Sequence, residues 1–221
     1  FKKTQTFQNI EDAGLGYDST LGFSDAVGFR CGISFPFRPY NPKAKKPLSF
    51  YEFPLHIMES AIQKKSNYRF LHKENIDPIW KEIQVLLRQI KTYNGCANVL
   101  WHNSDFDRFD VSWYAKFYEN ILYWVFINKD WGCSGRELLD WWKKRAESRM
   151  GVVIENSKEF HINLEKTEFE EFAVVIDPPE HWPNCDIEYD ECTGEHEVRD
   201  GKIYVTLKDI VPEKARIRLS V

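Results

Sequence analysis

Several things are scarce in this chain, and each shortage excludes something. No apolar run approaches the length needed to cross a bilayer; the longest, Ile121 to Ile127, is far too short, so no membrane span is expected. Lysine and arginine form no block, and the formal net charge is -4, which argues against nucleic acid as the main partner. The five cysteines are odd in number and irregularly spaced, unlike the framework of a disulfide-stapled domain. The sequence holds no internal repeat, low-complexity tract or visible signal peptide. It starts at Phe1 rather than Met, which is compatible with an internal stretch of a longer protein. The compartment stays open, with the cytoplasm expected ahead of export, and the oligomeric state is open too.

What is present is apolar and aromatic. The 221 residues have room for one large domain, or for a medium domain and a small one. Hydrophobic residues make up 43% and aromatics 15%, with 8 Trp and 16 Phe. A dense aromatic core explains that count more readily than faces that stack on sugar rings, although both use the same residues.

Helical spacing (Phe7, Ile10, Ala13) predicts a first helix ending at Gly14. The Gly-, Pro- and aromatic-rich stretch 25–47 predicts a long ordered loop. Residues 50–57 read as a strand, with Pro54 at its end, at a bulge or on an edge. Asp77 and Pro78 predict a helix start, Ile79, Ile83, Leu86, Leu87 and Ile90 its buried stripe, and Gly95 its stop. Two more helices are expected: one capped by Ser112 with Trp113, Phe117, Ile121 and Trp124 on one face, one opened by a Ser134/Glu137 capping box. The cluster Asp105, Asp107, Asp110 lacks the glycine and glutamate of a calcium loop and reads as a solvated turn.

Beyond Met150 the pattern becomes one of short strands (153–154, 160–164, 172–176, 203–207, 217–219) with turns at Pro178-Pro179, Thr193-Gly194 and Asp200-Gly201. That predicts a small antiparallel β module, sandwich-like, over 148–221, after an α/β part over 1–147.

The segment Ala97-Asn98-Val99-Leu100-Trp101-His102-Asn103 follows a helix and reads as a buried parallel strand delivering His102 at its C-terminal end. Carboxyl ends of parallel strands are where α/β active sites collect. A histidine there is a candidate acid or base, because imidazole titrates near neutrality. Capping the strand is its alternative role.

Four motifs in order, Tyr17-Asp18-Ser19-Thr20-Leu21-Gly22-Phe23, Gly28-Phe29-Arg30-Cys31-Gly32, Glu52-Phe53-Pro54-Leu55-His56-Ile57-Met58 and Leu100-Trp101-His102-Asn103, carry a resemblance. Together they resemble the C-terminal half of a polysaccharide deacetylase (NodB-homology) domain, over about residues 1 to 145. The resemblance implies an α/β fold that is part of a distorted (β/α) barrel. It also implies metal-dependent hydrolysis of acyl groups from amino sugars, a carbohydrate substrate and a divalent metal, zinc in the first instance. His102, in the family's Leu-x-His motif, becomes the general acid to the leaving amine, and Asp18 the carboxylate that orients it. Arg30, Trp101 and Asn103 are candidate substrate contacts. The family's paired aspartates and His-x-x-x-His metal pair lie N-terminal to all these motifs, and no such histidine pair precedes His102. No residue of this chain is therefore assigned as a metal ligand, and ligands and base are expected outside it. The alternative is an inactive carbohydrate-binding or assembly protein on the same scaffold.

His181, Cys185, Cys192 and His196 form a second constellation, spaced H-x3-C, C-x6-C and C-x3-H. A solvent-facing hairpin, a zinc site and a Cys185–Cys192 disulfide all remain open for it.

Overall fold

The computed structural model describes residues 3–65, 73–103, 106, 112–167, 169, 171–178, 186–211 and 214–220. It divides into two compact units, Phe1–Leu139 and Asp140–Val221, the division falling inside the helix Gly135–Glu147 rather than after it.

In the first unit, helix α1 (Lys3–Asp12) ends in a Schellman turn: Leu15 N–H donates to Ile10 O and Gly14 takes the left-handed conformation that only glycine adopts freely. Strand β1 (Tyr17–Asp18) follows, then a hairpin of β2 (Tyr40–Asn41) and β3 (Lys46–Pro47) within the long loop. The stretch 51–58 is the spine of the unit. It forms β4 (Tyr51–Glu52), parallel to β1, and β5 (Ile57–Met58), parallel to β6 (Val99–Leu100).

Pro54 therefore lies between two short ladders, not at the end of one strand. Phe53 N–H donates to Asp18 O and Leu55 N–H to Leu21 O, so one edge of the spine stays on the β1 segment. On the other edge Glu52 exchanges bonds with Phe37, and His56 N–H donates to Asn98 O. Pro54, without an N–H, stands where the neighbour changes from Phe37 to the β6 segment, and the Asn98 side-chain amide donates to Phe53 O there at 3.0 Å. The strand read at 97–102 is likewise shorter than its apolar run. Only Val99 and Leu100 pair, and Leu100 is exposed, because β5 is the sole strand beside β6 among the described residues.

Helix α2 (Glu59–Lys65) leaves β5 directly. Helix α3 (Lys73–Thr92) starts earlier than the Asp77-Pro78 signal; Pro78 is inside it, lacking the N–H that position would give the carbonyl four residues back. All five stripe residues of α3 are buried, against Ile57, Ile62, Tyr114, Phe117 and Ile121. Asn94, not Gly95, holds the left-handed position that closes α3. Gly95 is required for another reason: a Cβ there would lie 2.0 Å from Ser34 Oγ. Helix α4 (Ser112–Ile127) buries Tyr114, Phe117 and Ile121, with Trp124 half-buried; the Ser112 and Trp113 side chains and the Asp105, Asp107 and Asp110 turn lie outside the described residues. Helix α5 (Gly135–Glu147) opens with the Ser134/Glu137 capping box, Ser134 N–H and Oγ–H both donating to Glu137 Oε2 at 2.7 Å.

Among its described residues the second unit has seven strands. Sheet order β10-β13-β8-β7 is built from β10 (Asp186–Asp190), β13 (Arg216–Ser220), β8 (Glu159–Lys166) and β7 (Arg149–Asn156). Order β11-β12-β9 is built from β11 (Thr193–Arg199), β12 (Lys202–Lys208) and β9 (Phe172–Ile176). All pairings are antiparallel. Alternate residues of both sheets (Ile162, Leu164, Val174, Ile176, Ile203, Val205, Leu207, Ile217, Leu219) enter one shared core. Asp200 and Gly201, both at positive φ, make the two-residue turn from β11 to β12. Thr193-Gly194, which reads as a turn, instead opens β11.

Candidate functional site

Two adjacent parallel strands end side by side, with Met58 in register with Leu100. The next residue after β5 is Glu59, and two residues beyond β6 is His102. Their side chains meet: His102 Nδ1 lies 2.5 Å from Glu59 Oε1. A carboxylate only accepts, so Nδ1–H donates, and Nε2 is the ring nitrogen that Glu59 does not engage. The two partners differ sharply in exposure, the Glu59 side chain at 5% and the His102 ring at 59%. A buried carboxylate thus holds an accessible imidazole. Glu59 is also the first residue of α2, where the helix dipole favours a negative side chain. Its second oxygen, Oε2, is buried without a partner.

Asp18, expected to orient His102, is engaged elsewhere. Its Oδ2 accepts from Thr20 Oγ1–H at 2.6 Å, and its register partner across the β1·β4 ladder is Glu52. Glu52 is fully buried; Leu21 N–H donates to its Oε1 at 2.9 Å, while Oε2 has no donor. Burial, reinforced by a hydrogen bond to Asp18 and by its charge, pushes the Glu52 carboxyl up to about 8, against the pull of the Leu21 amide. A proton on Glu52 supplies the donor that two facing carboxylates lack. The carboxylate beside His102 is thus Glu59, while Asp18 stands opposite Glu52.

The remaining candidates separate. Asn103 is exposed next to His102, and its carbonyl accepts from Phe106 N–H. Trp101 is half-buried against the α3–α4 core, its ring 5.6 Å from that of Tyr118 and its indole N–H without an acceptor. Arg30 is exposed and donates from a guanidinium nitrogen to Gly22 O, which ties the glycine-rich loop to the end of the β1 segment. His56, the other histidine of the motifs, is buried: Nδ1 accepts from Asn98 N–H at 3.3 Å and Nε2 points to Ile33 O. Burial lowers its pKa, so this ring is a neutral structural bridge.

Among the described residues no three His, Cys, Asp or Glu side chains converge in a way that could hold a metal ion, so they do not fit the ligand set implied by the resemblance. In the second constellation His181 and Cys185 lie outside the described residues. His196 Nδ1 is 3.0 Å from Tyr189 Oη and the Cys192 thiol is directed at Asp190 O; the zinc and disulfide readings both need Cys185 and so lie outside the described residues. Among the described residues no helix is long and apolar enough to cross a membrane. No family model, no curated protein and no solved structure matches this chain.

Glu59 carries no motif, yet its position follows the rule that singles out His102. It is the first residue after the parallel strand Ile57–Met58, at the end of a stretch buried from Glu52 to Ile57.

Proposed function

We propose that this chain carries the proton-transfer half of a glycan deacetylase, which hydrolyses the amide of an N-acylated amino sugar. The α/β part belongs in this reading to a distorted (β/α) barrel of the polysaccharide deacetylase type, with the β module as an accessory. A divalent metal, its ligands and the base that activates water come from outside residues 1–221.

In amide hydrolysis water adds to the acyl carbon and the C–N bond breaks. The departing nitrogen must gain a proton, because an amine anion is a very poor leaving group. His102 gives that proton from Nε2–H, while Nδ1–H stays bonded to Glu59. The carboxylate stabilises the imidazolium before transfer and fixes the ring's angle throughout. The observation that carries this reading is the 2.5 Å contact between a buried Glu59 and an exposed His102 at neighbouring strand ends. Asn103, exposed beside His102, is the substrate contact it favours, whereas the indole nitrogen of Trp101 is buried and Arg30 serves the loop.

The test uses the longest natural form of the protein, assayed for metal content and for deacetylation of N-acetylated sugar oligomers, beside its His102→Ala variant. Stoichiometric metal and turnover, with turnover alone lost in the variant, support the reading. No metal and no turnover in the parent protein sink it and leave a carbohydrate-binding or assembly protein.

A further inference from the structure

The second unit has four edge strands, and they are not protected alike. Edge strands offer unpaired N–H and C=O groups, and proteins commonly guard them with charge, proline or bulges. Strand β10 is guarded by Asp186, Glu188 and Asp190, and β11 by Glu195 and Glu197. The middle of strand β7, Met150-Gly151-Val152-Val153-Ile154, carries no charge and no proline, its two charges, Arg149 and Glu155, standing at the ends. Its pairing with β8 is regular over these five residues and shifts register at both ends, between Arg149 and Met150 and between Ile154 and Asn156. Val152 is 60% exposed and Ile154 76%, and among the described residues nothing pairs with its outer side.

We propose that β7 pairs antiparallel with β7 of a second copy, joining two four-stranded sheets into one across a twofold axis at Val152. A closed dimer needs a self-complementary edge, and the sequence can be tested for it strand by strand. Centred on Val152, the pairing sets Met150 against Ile154 and Gly151 against Val153, and brings Arg149 near Glu155 of the other copy just beyond each end, where the strand shifts register. Apolar meets apolar, and opposite charges meet at both ends. The other edges fail the same test. Pairing β10 with itself about Glu188 sets Asp186 against Asp190, and pairing β11 about His196 sets Glu195 against Glu197. Strand β9 is apolar inside but flanked by Glu171 and Asp177, which face each other when it pairs about Val174. In these registers β7 is the edge that brings unlike charges together, and like charges directly opposite destabilise a ladder whereas unlike charges support it.

The experiment is sedimentation velocity of the full chain over a concentration series. A monomer–dimer equilibrium is expected. Val152→Lys, which sets like charges face to face on the axis, and Arg149→Glu should each weaken association about tenfold or more. Glu155→Arg should weaken it similarly, and mixing the two charge-reversed proteins should restore a dimer, because each then meets its complement. That rescue also shows that the variants are folded. A chain that stays monomeric throughout, or a dimer indifferent to all three substitutions, overturns the proposal; the second outcome means a different surface.

Discussion

The two ends of the stretch 51–58 each bury a glutamate, and what differs is the group set opposite. At the start, Glu52 faces another carboxyl group, Asp18; at the finish, Glu59 faces an imidazole, His102. Both carboxyls are removed from water, and the interior tolerates a charge only when it is paired. Glu52, given an acid for a neighbour, keeps its proton to about 8 and becomes a neutral donor inside the sheet. Glu59, given a base, forms a contact whose outer partner reaches solvent. One residue type thus stands at both ends of one stretch, in β4 and at the start of α2, facing a carboxyl group inside the sheet at one end and an accessible imidazole at the other.

The sharpest way to break this contrast is at the exposed end. In the longest natural form, His102→Ala should cost about 10²–10⁴ in deacetylation rate, the range for loss of a general acid. Its thermal midpoint should fall as well, because the substitution leaves the buried Glu59 carboxylate unpaired, so the rates are compared well below both midpoints, where both proteins are fully folded. A rate there equal to that of the parent would make His102 a structural residue. Glu59→Gln keeps the acceptor but removes the charge. It should lower kcat by about tenfold to a hundredfold with KM little changed, as befits a residue acting through another. A change confined to KM would place Glu59 in binding instead.

The contrast also marks what the sequence makes legible. His102 is visible because a short apolar run after a helix stop points to a strand end, and the α3 stripe because its period is that of a helix. The Asp200-Gly201 turn and the Ser134/Glu137 box are visible because their chemistry is local. The pairings of His102 with Glu59, 43 residues away, and of Glu52 with Asp18 depend on the parallel register of strands distant in sequence, which no local pattern encodes. The early start of α3 at Lys73 is hidden too, because Asp77-Pro78 reads locally as a start signal. Also hidden are β10 and β11, whose charged residues break up any apolar run although Ile187 and Tyr189 still reach the core.

At the buried end the effect is smaller and appears in stability against pH. The folded state holds a Glu52 proton that the unfolded chain releases near its ordinary value of 4.5. Unfolding therefore releases a proton between about 4.5 and 8, and stability falls as pH rises through that window. Glu52→Gln supplies a permanent donor to Asp18 and still accepts from Leu21 N–H. Its melting temperature should match the parent near pH 4 and exceed it increasingly towards pH 8, because the variant has no proton to lose on unfolding. Parallel melting curves across that range would mean that Glu52 is ionised in the fold and that the two ends do not differ as argued.

Between the two ends stands Pro54, and the smallest predicted effect belongs there. The Asn98 side chain donates to Phe53 O where the spine changes neighbours, while its backbone serves His56: Asn98 N–H donates to His56 Nδ1 and Asn98 O accepts from His56 N–H. Asn98→Ala removes only the amide bond. It should cost about 1 kcal/mol, the net worth of one hydrogen bond, measured by urea unfolding. Because the backbone bonds to His56 survive, β6 should keep its register and His102 its place beside Glu59. Deacetylation by the longest natural form should then be unchanged within about twofold. A large loss of rate from Asn98→Ala would instead mean that the Pro54 junction and the strand ends form one mechanical unit, so that the structural end of the spine sets the geometry of the chemical one.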